Sequence, residues 1–481
     1  MLFNSLAFLA FFPIVVIIYY LIPTLKGRNL FLLVASYYFY MNWEPIYALL
    51  LFSSTLITYL ASIGIVKCET HKKSFLIASL VLNLAILFFF KYYNWMAEDI
   101  TSLLSNLGIA ISIPDFKVLL PVGISFYIFQ ALGYSIDVYR GDVKVEKDFF
   151  RYALFVSFFP QLVAGPIERS TNLLQQFYKK HKFEADHAIR GITLMLWGFF
   201  LKLVVADRIA IYVDSVYNNI NYHMGSSILL ASVLFCFQLY GDFAGYSYIA
   251  TGCAKVMGFE LMDNFKRPYF FSVSIQDYWK RNHISLTSWF MDYVYYPMVG
   301  SSMKLSWWCF CIFITFFISG FWHGAAWTYV LCFSIFGIYL VVCSLKEKRQ
   351  RRFEKKYHLK KKEWWLWLNR VLTFFLVSFA LIFFRANTIK DAFTAVEKIF
   401  TNSFSFPDLL DKKHFVYIGI ALFFLFITEY VVEYKKVNIT DNNSLRIYSI
   451  SSVLLIFALL SYGIFDGGQF IYFQFRYEEV Y

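Results

Sequence analysis

Two histidines stand where a strongly apolar chain has least reason to place them. His323 lies in ISGFWHGAAWTY, Ile318–Tyr329, between two long apolar runs, and His283 lies in a stretch that mixes aromatics with charges. An ionised side chain at mid-membrane costs roughly 2.5–3.5 kcal/mol or more; a neutral imidazole avoids that cost and can still accept a proton. Two readings of His323 stand side by side. It is a helix-end residue bonded to a carbonyl of the 320–324 turn, or it is a general base in a polar tunnel, with Gly320 and Gly324 permitting close approach of substrate or backbone. The other six histidines (71, 181, 187, 223, 358 and 414) fall in polar loops and read as solvated surface.

A second concentration of polar groups is FCFQLYGDFAGYSY, Phe235–Tyr248, which carries Gln238, Tyr240, Asp242, Tyr246, Ser247 and Tyr248 within one apolar run. So many polar groups in one membrane helix imply a polar interior, either catalytic or conductive. Lys202, Asp207, Arg208 and Arg385 also lie in or near apolar runs, where such residues face a cavity or pair with one another. HKFEAD, His181–Asp186, matches an H-x4-D spacing used by some acyltransferases, but a six-residue match in a charged loop arises readily by chance. The chain has no G-x-S-x-G elbow, phosphate-binding loop or H-E-x-x-H. Its seven cysteines show neither metal-binding nor disulfide-framework spacing, and small apolar packing is their expected role.

The elements that must position these groups follow from composition. The 481 residues are 59% hydrophobic and 22% aromatic, with only 16% charged and a mean hydropathy of +0.55. Apolar runs near 20 residues recur along the sequence, each long enough to cross a hydrocarbon core of roughly 30 Å as a helix. The expectation is an all-α polytopic membrane protein forming one integral domain over 1–481. Its spans fall near 2–22, 29–42, 46–66, 74–93, 118–136, 188–211, 226–250, 305–322, 325–345, 363–384, 415–434 and 446–465. That amounts to 11–12 transmembrane helices with re-entrant and interfacial helices around a polar tunnel. The first run, with no basic segment or cleavage site, reads as a retained helix.

The net charge of +12 fits basic cytoplasmic loops and attraction to membrane lipid, with no call for nucleic acid. KEKRQRRFEKKYHLKKK, 346–362, anchors the cytoplasmic side. Working back from it, 251–304, 137–151 with 168–187, 67–73 and 23–28 share that side, and 212–225, which has no Lys or Arg, lies outside. Residues 152–167, YALFVSFFPQLVAGPI, are short and contain Pro160, Gly165 and Pro166, so a re-entrant hairpin is expected there. The stretch 259–300 suits interfacial helices with the apolar face down. A straight 305–322 helix would hold His283 and His323 roughly 27 Å apart; a bent path would bring them together. An Asn438–Thr440 glycosylation sequon matters only in a eukaryotic secretory membrane.

Four ordered segments carry a family likeness: FFPQLVAGPIERSTNLLQQF, FQLYGDFAGYSYIATGCAKVMGFELMDNFKRPY, DYWKRNHISLTSWFMDYVYYPMVG and SGFWHGAAWTYV. They resemble successive motifs of the membrane-bound O-acyltransferase (MBOAT) family, in the branch of bacterial alginate and peptidoglycan O-acetyltransferase membrane subunits. The opening LFNSLAFLAFFPIVVIIYYLI and the closing FIYFQF are similar to the same branch. Two positions depart from it: Asn282, where a Trp commonly precedes the histidine, and Met291, where an Arg commonly precedes Asp292.

The resemblance implies acyl transfer to a hydroxyl across a bacterial inner membrane, with His323 as catalytic base and His283 as the second, more variable histidine. The 305–345 region holds the catalytic histidine, and Asp242, Gln238, Trp322 and Asn282 are candidate substrate-binding residues. The donor is a cytoplasmic thioester, acetyl-CoA first, used as substrate with no bound cofactor and no metal. The acceptor is an extracytoplasmic polysaccharide, reached through a separate extracytoplasmic transferase. Two alternatives stay open: D-alanyl transfer to teichoic acid within the same family, and a polytopic glycan transporter. Against the transporter stands the lack of an internal repeat.

Overall fold

The computed structural model describes residues 1–116, 120–402, 407, 412–435 and 445–465. The closing FIYFQF and the Asn438–Thr440 sequon lie outside these residues. Among the described residues every regular element is a helix. Eight helices among the described residues are long and apolar enough to cross a bilayer: Pro45–Lys67, Glu69–Lys91, Ala185–Tyr217, Gly225–Val256, Leu305–His323, Trp327–Lys356, Glu363–Arg385 and Lys412–Lys435. The chain is a multi-pass membrane protein.

Each of the twelve expected spans coincides with a helix, but four of these helices are short: Leu6–Leu21 (16 residues), Leu25–Met41 (17), Ile124–Arg140 (17) and Leu445–Tyr462 (18). A perpendicular crossing takes about 20 residues, so these four sit near or below the lower end of the spanning range. Ile124–Arg140 is also buried along most of its length.

Backbone contacts divide the chain into two compact units. The first contains Met1–Ile192 and Ile249–Met262. Three of its helices begin at side-chain caps that satisfy otherwise orphaned amides: Ser5 accepts from Phe8 N, Thr24 from Gly27 N, and Asp148 from Phe150 N and Arg151 N. Lipid offers no hydrophobic gain for helix association, so small polar residues supply the contacts. Ser54, Thr55, Thr58 and Ser62 form a buried stripe on Ala48–Lys67. Ser54 Oγ donates to Asn83 Oδ1 at 2.6 Å, and the Tyr152 hydroxyl donates to Thr58 Oγ1 at 2.7 Å.

The 152–167 segment is not a continuous span. It breaks at Phe158 into helices Phe149–Ser157 and Phe159–Leu162, and every residue from 152 to 168 is buried. Broken backbone at such depth must find partners. The Phe155 carbonyl accepts from Gln130 Nε2 at 2.6 Å and Gln161 Nε2 at 2.9 Å, while Phe159 N donates to Ser36 Oγ at 3.0 Å. Gly123, at φ +74°, takes the left-handed region, and a Cβ there would meet the Leu162 carbonyl at 2.5 Å. The H-x4-D pair does not assemble: His181 packs on Phe259 with ring centroids 4.5 Å apart, and Asp186 is exposed.

The second unit contains Thr193–Tyr248 and the described residues of Asp263–Ile471. Leu305–His323 and Trp327–Lys356 form a close antiparallel pair, and Gly320 permits it: a Cβ there would lie 2.7 Å from Val330 Cα. Gly241 and Gly245 bring Gly225–Val256 equally close to its neighbour, with Leu201 O and Gly198 O each 2.8 Å from where a Cβ would be. Residues 200–206 form a wide π turn, which brings Lys202 and Asp207, five positions apart, together.

Candidate active site

His323 ends the Leu305–His323 helix, where the chain leaves in extended conformation at Gly324. Its ring stacks on Phe333 at a centroid distance of 4.2 Å and meets the edges of Trp322 at 4.9 Å and Phe384 at 5.9 Å. The side chain is 5% exposed. Aromatic packing on several sides fixes the ring plane and shields it from solvent.

His283 occupies the N-cap of Ile284–Phe290 with φ +45° and ψ +52°. A left-handed non-glycine residue is uncommon, and such conformations persist where surrounding contacts over-determine them, often at functional sites. Here the surroundings are explicit. Ile284 N donates to Asn264 O at 2.9 Å, Lys266 N donates to Arg281 O at 3.0 Å, and the Arg281 guanidinium donates to Pro268 O. These bonds close 264–284 into a folded loop.

The loop decides how the two histidines are related. The straight-helix reading, with the imidazoles roughly 27 Å apart, does not hold; their ring centroids lie 6.3 Å apart at 76°. The reason is that 263–290 folds as a loop that buries Phe265, Tyr269, Ile275, Tyr278, Trp279, Leu286, Trp289 and Phe290. His283 is enclosed by Phe243 at 4.5 Å and Trp322 at 5.6 Å.

Hydrogen bonding fixes the tautomer of His283. Asn264 Oδ1 accepts from Ser285 Oγ at 2.9 Å and from Ser285 N at 3.3 Å. A backbone amide can only donate, so the oxygen of the Asn264 amide must face this way. His283 Nδ1, 3.1 Å from the same oxygen, therefore carries the proton, and Nε2 keeps its lone pair. Burial pushes the imidazole down to about 3, so it stays neutral through the physiological range.

The remaining candidates take up separate positions. Trp322 packs against both imidazoles through the contacts above. Asn282 Oδ1 lies 3.0 Å from the Tyr269 hydroxyl, which is itself 3.0 Å from the Tyr278 hydroxyl. Asp242 Oδ1 pairs with Lys202 Nζ at 2.5 Å, and Lys202 pairs with Asp207 Oδ1 at 2.7 Å, all three buried. Gln238, one turn before Asp242, is buried, and its Oε1 accepts no hydrogen bond among the described residues. Sequence reasoning missed Asn264, Ser285, Phe333 and Phe384. Asn264 stands within one of the family-like segments, in DNFKRPY, but no spacing rule links it to a histidine 19 positions later.

A helical multi-pass membrane protein that encloses two imidazoles in an aromatic shell has the parts for acyl transfer with proton abstraction. The chain belongs to the membrane-bound O-acyltransferase family, whose family model matches residues 143–386. It is 35% identical over 412 residues to the probable alginate O-acetylase AlgI of Pseudomonas syringae pv. tomato, covering 85% of this chain and 76% of that one. It is 30% identical over 425 residues to the peptidoglycan O-acetyltransferase of Helicobacter pylori, covering 82% and 78%. A third relative, the teichoic acid D-alanyltransferase of Bacillus subtilis, is 30% identical over 282 residues, covering 56% and 70%. The chain is an acyltransferase, and the glycan-transporter alternative gives way to that family membership.

Proposed function

We propose that this enzyme takes an acetyl group from acetyl-CoA on the cytoplasmic side of a bacterial inner membrane and delivers it for O-acetylation of an extracytoplasmic polysaccharide. The observation that carries the reading is the convergence of His283 and His323 in one buried aromatic chamber. The names of the AlgI and Helicobacter pylori relatives support acetyl as the group moved. In the reaction His323 removes the proton of an acceptor hydroxyl as the oxygen attacks the thioester carbonyl. The C–S bond then breaks, the acyl–oxygen ester forms, and the proton passes to the departing thiolate. His283, with Nε2 unprotonated, accepts a hydrogen bond from the acceptor or from a water beside it and helps hold the hydroxyl in line. Trp322 orients both rings, Gln238 offers its amide oxygen to a donor N–H, and Asn282 and Asp242 keep the surrounding polar groups in register.

The acceptor is a hydroxyl of a separate extracytoplasmic transferase, which passes the acetyl group to the glycan. The test is polysaccharide acetyl content in cells carrying His323→Ala. Loss of acetylation with normal membrane insertion is expected, and wild-type acetylation would remove His323 from the mechanism. D-alanyl transfer to teichoic acid is the second reading, favoured by the likeness to the Bacillus subtilis enzyme. Labelled acetyl-CoA and a D-alanyl carrier-protein thioester, offered in parallel to the purified enzyme, separate the two.

A further inference from the structure

The helix Lys412–Tyr430 leaves Phe423, Phe424, Phe426 and Ile427 exposed and buries the stripe Ile418, Ala421, Leu425 and Glu429. The last of these is a carboxylate, completely enclosed, that the acyl-transfer chemistry does not use. An ionisable residue within a membrane helix needs a partner and has, as a rule, a function.

The partner is Arg267, whose Nε donates to Glu429 Oε1 at 2.6 Å and whose guanidinium packs on the Trp197 ring at 4.6 Å. Stability alone is a poor reason for such a pair. Desolvation of two charges offsets most of what their attraction returns, and an apolar pair of similar volume often serves as well. What the carboxylate adds is its second oxygen, Oε2, which accepts from the backbone amide of Tyr269. One side chain therefore grips the 264–284 loop at two points, 267 and 269, from a helix outside that loop.

From Tyr269 the contacts lead to the histidine. The Tyr269 ring stacks on Tyr240 at 4.2 Å, and its hydroxyl lies 3.0 Å from both Asn282 Oδ1 and the Tyr278 hydroxyl. A phenol has one proton, so with Asn282 Oδ1 as acceptor Tyr269 donates to Asn282 and Tyr278 donates to Tyr269. Asn282 immediately precedes His283, whose left-handed backbone persists only where its surroundings hold it.

We propose that Glu429 and Tyr269 are positioning residues for acyl transfer: Glu429 sets the Tyr269 amide, and the Tyr269 hydroxyl sets Asn282 and, through it, the His283 imidazole. This rests on the role given above to the histidine pair.

The test is the rate of thiol release from acetyl-CoA by the purified full-length enzyme in proteoliposomes, with N-acetylserinamide as the acceptor hydroxyl. Tyr269→Phe keeps the amide bond and the ring and removes only the hydroxyl. Its kcat should fall about tenfold, with KM for acetyl-CoA and the melting temperature in detergent unchanged. Asn282→Ala should cost the same, and the double variant no more than either, because both changes cut one chain. Arg267→Met with Glu429→Leu removes both charges together with the acceptor of the Tyr269 amide, and kcat should fall equally. Arg267→Met with Glu429→Gln returns an acceptor oxygen to that amide and should restore the rate. Wild-type kcat in Tyr269→Phe, losses that multiply in the double variant, or no rescue by Glu429→Gln would each overturn the proposal. His323→Ala, assayed in parallel, separates the two readings. If it is inactive while Tyr269→Phe is wild-type, the positioning chain alone falls; if it keeps wild-type release, the histidine reading falls and the positioning chain with it.

Discussion

Asn264 sets the chemistry of His283 through its oxygen, because the amide and hydroxyl of Ser285 both donate to that atom and leave the imidazole no choice of tautomer. Replacing Asn264 with Leu removes the shared acceptor, and kcat/KM should fall about 10²-fold, the scale of a misplaced reactive group. Asn264→Asp has a different signature. A carboxylate beside a buried imidazole favours the charged form, so the pH profile should gain a new limb from His283, absent from the wild type. Linkage gives a second readout. His283 is held down to about 3 while the unfolded imidazole titrates near 6.5, so the unfolded state binds the extra proton. Stability from this residue is full above about 6.5 and declines as pH falls towards 3. His283→Gln should flatten the thermal-stability profile over that window; an unchanged slope would show that the imidazole is not desolvated. These details were not legible in the sequence. The position of His323 in a W-H-G segment could be read directly, but a left-handed backbone at His283 and a partner 19 residues earlier are products of the folded loop.

At the scale of elements, the glycines define how closely the helices approach. A methyl at position 320 would lie 2.7 Å from Val330 Cα, a backbone atom that cannot move aside, so Gly320→Ala should cost about 1–3 kcal/mol in detergent stability by overpacking. Because the same helix ends in His323, activity should fall with it. Helix positions were the most legible part of the fold, since runs of apolar residues report directly on the length of chain that lipid accepts. Legibility failed where the chain had to turn inward. Residues 263–290 carry aromatics and charges with no period that gives their path, and bonds across the loop, such as Lys266 N to Arg281 O, set it. Asp242 shows the same limit. Its partner Lys202 lies 40 positions away and reaches it from a π turn that no apolar periodicity reveals.

Among the described residues, the buried cations Lys202, Arg267 and Arg370 each have an ion-pair partner, as a bilayer favours. Lys202, Asp207 and Asp242 form a buried cluster, and removing the one cation would leave two carboxylates facing each other. Lys202→Met should therefore destabilise the protein by about 3–5 kcal/mol, measured as lost thermal stability in detergent. Adding Asp207→Asn and Asp242→Asn should recover most of that loss, which a purely steric role for Lys202 would not allow. The broken, buried 152–167 segment sets a topological expectation too: cysteines at the exposed flanking positions 150 and 171 should be labelled from the same side of the membrane. The central claim is that a neutral imidazole at position 323 activates a hydroxyl against a thioester inside this scaffold. Its most direct measurement is hydroxyl-dependent release of free thiol from acetyl-CoA by the purified enzyme in proteoliposomes, wild type against His323→Ala. Thiol release should rise with added acceptor in the wild type and drop by about 10²–10⁴-fold in the variant. Equal release from the two proteins would contradict it.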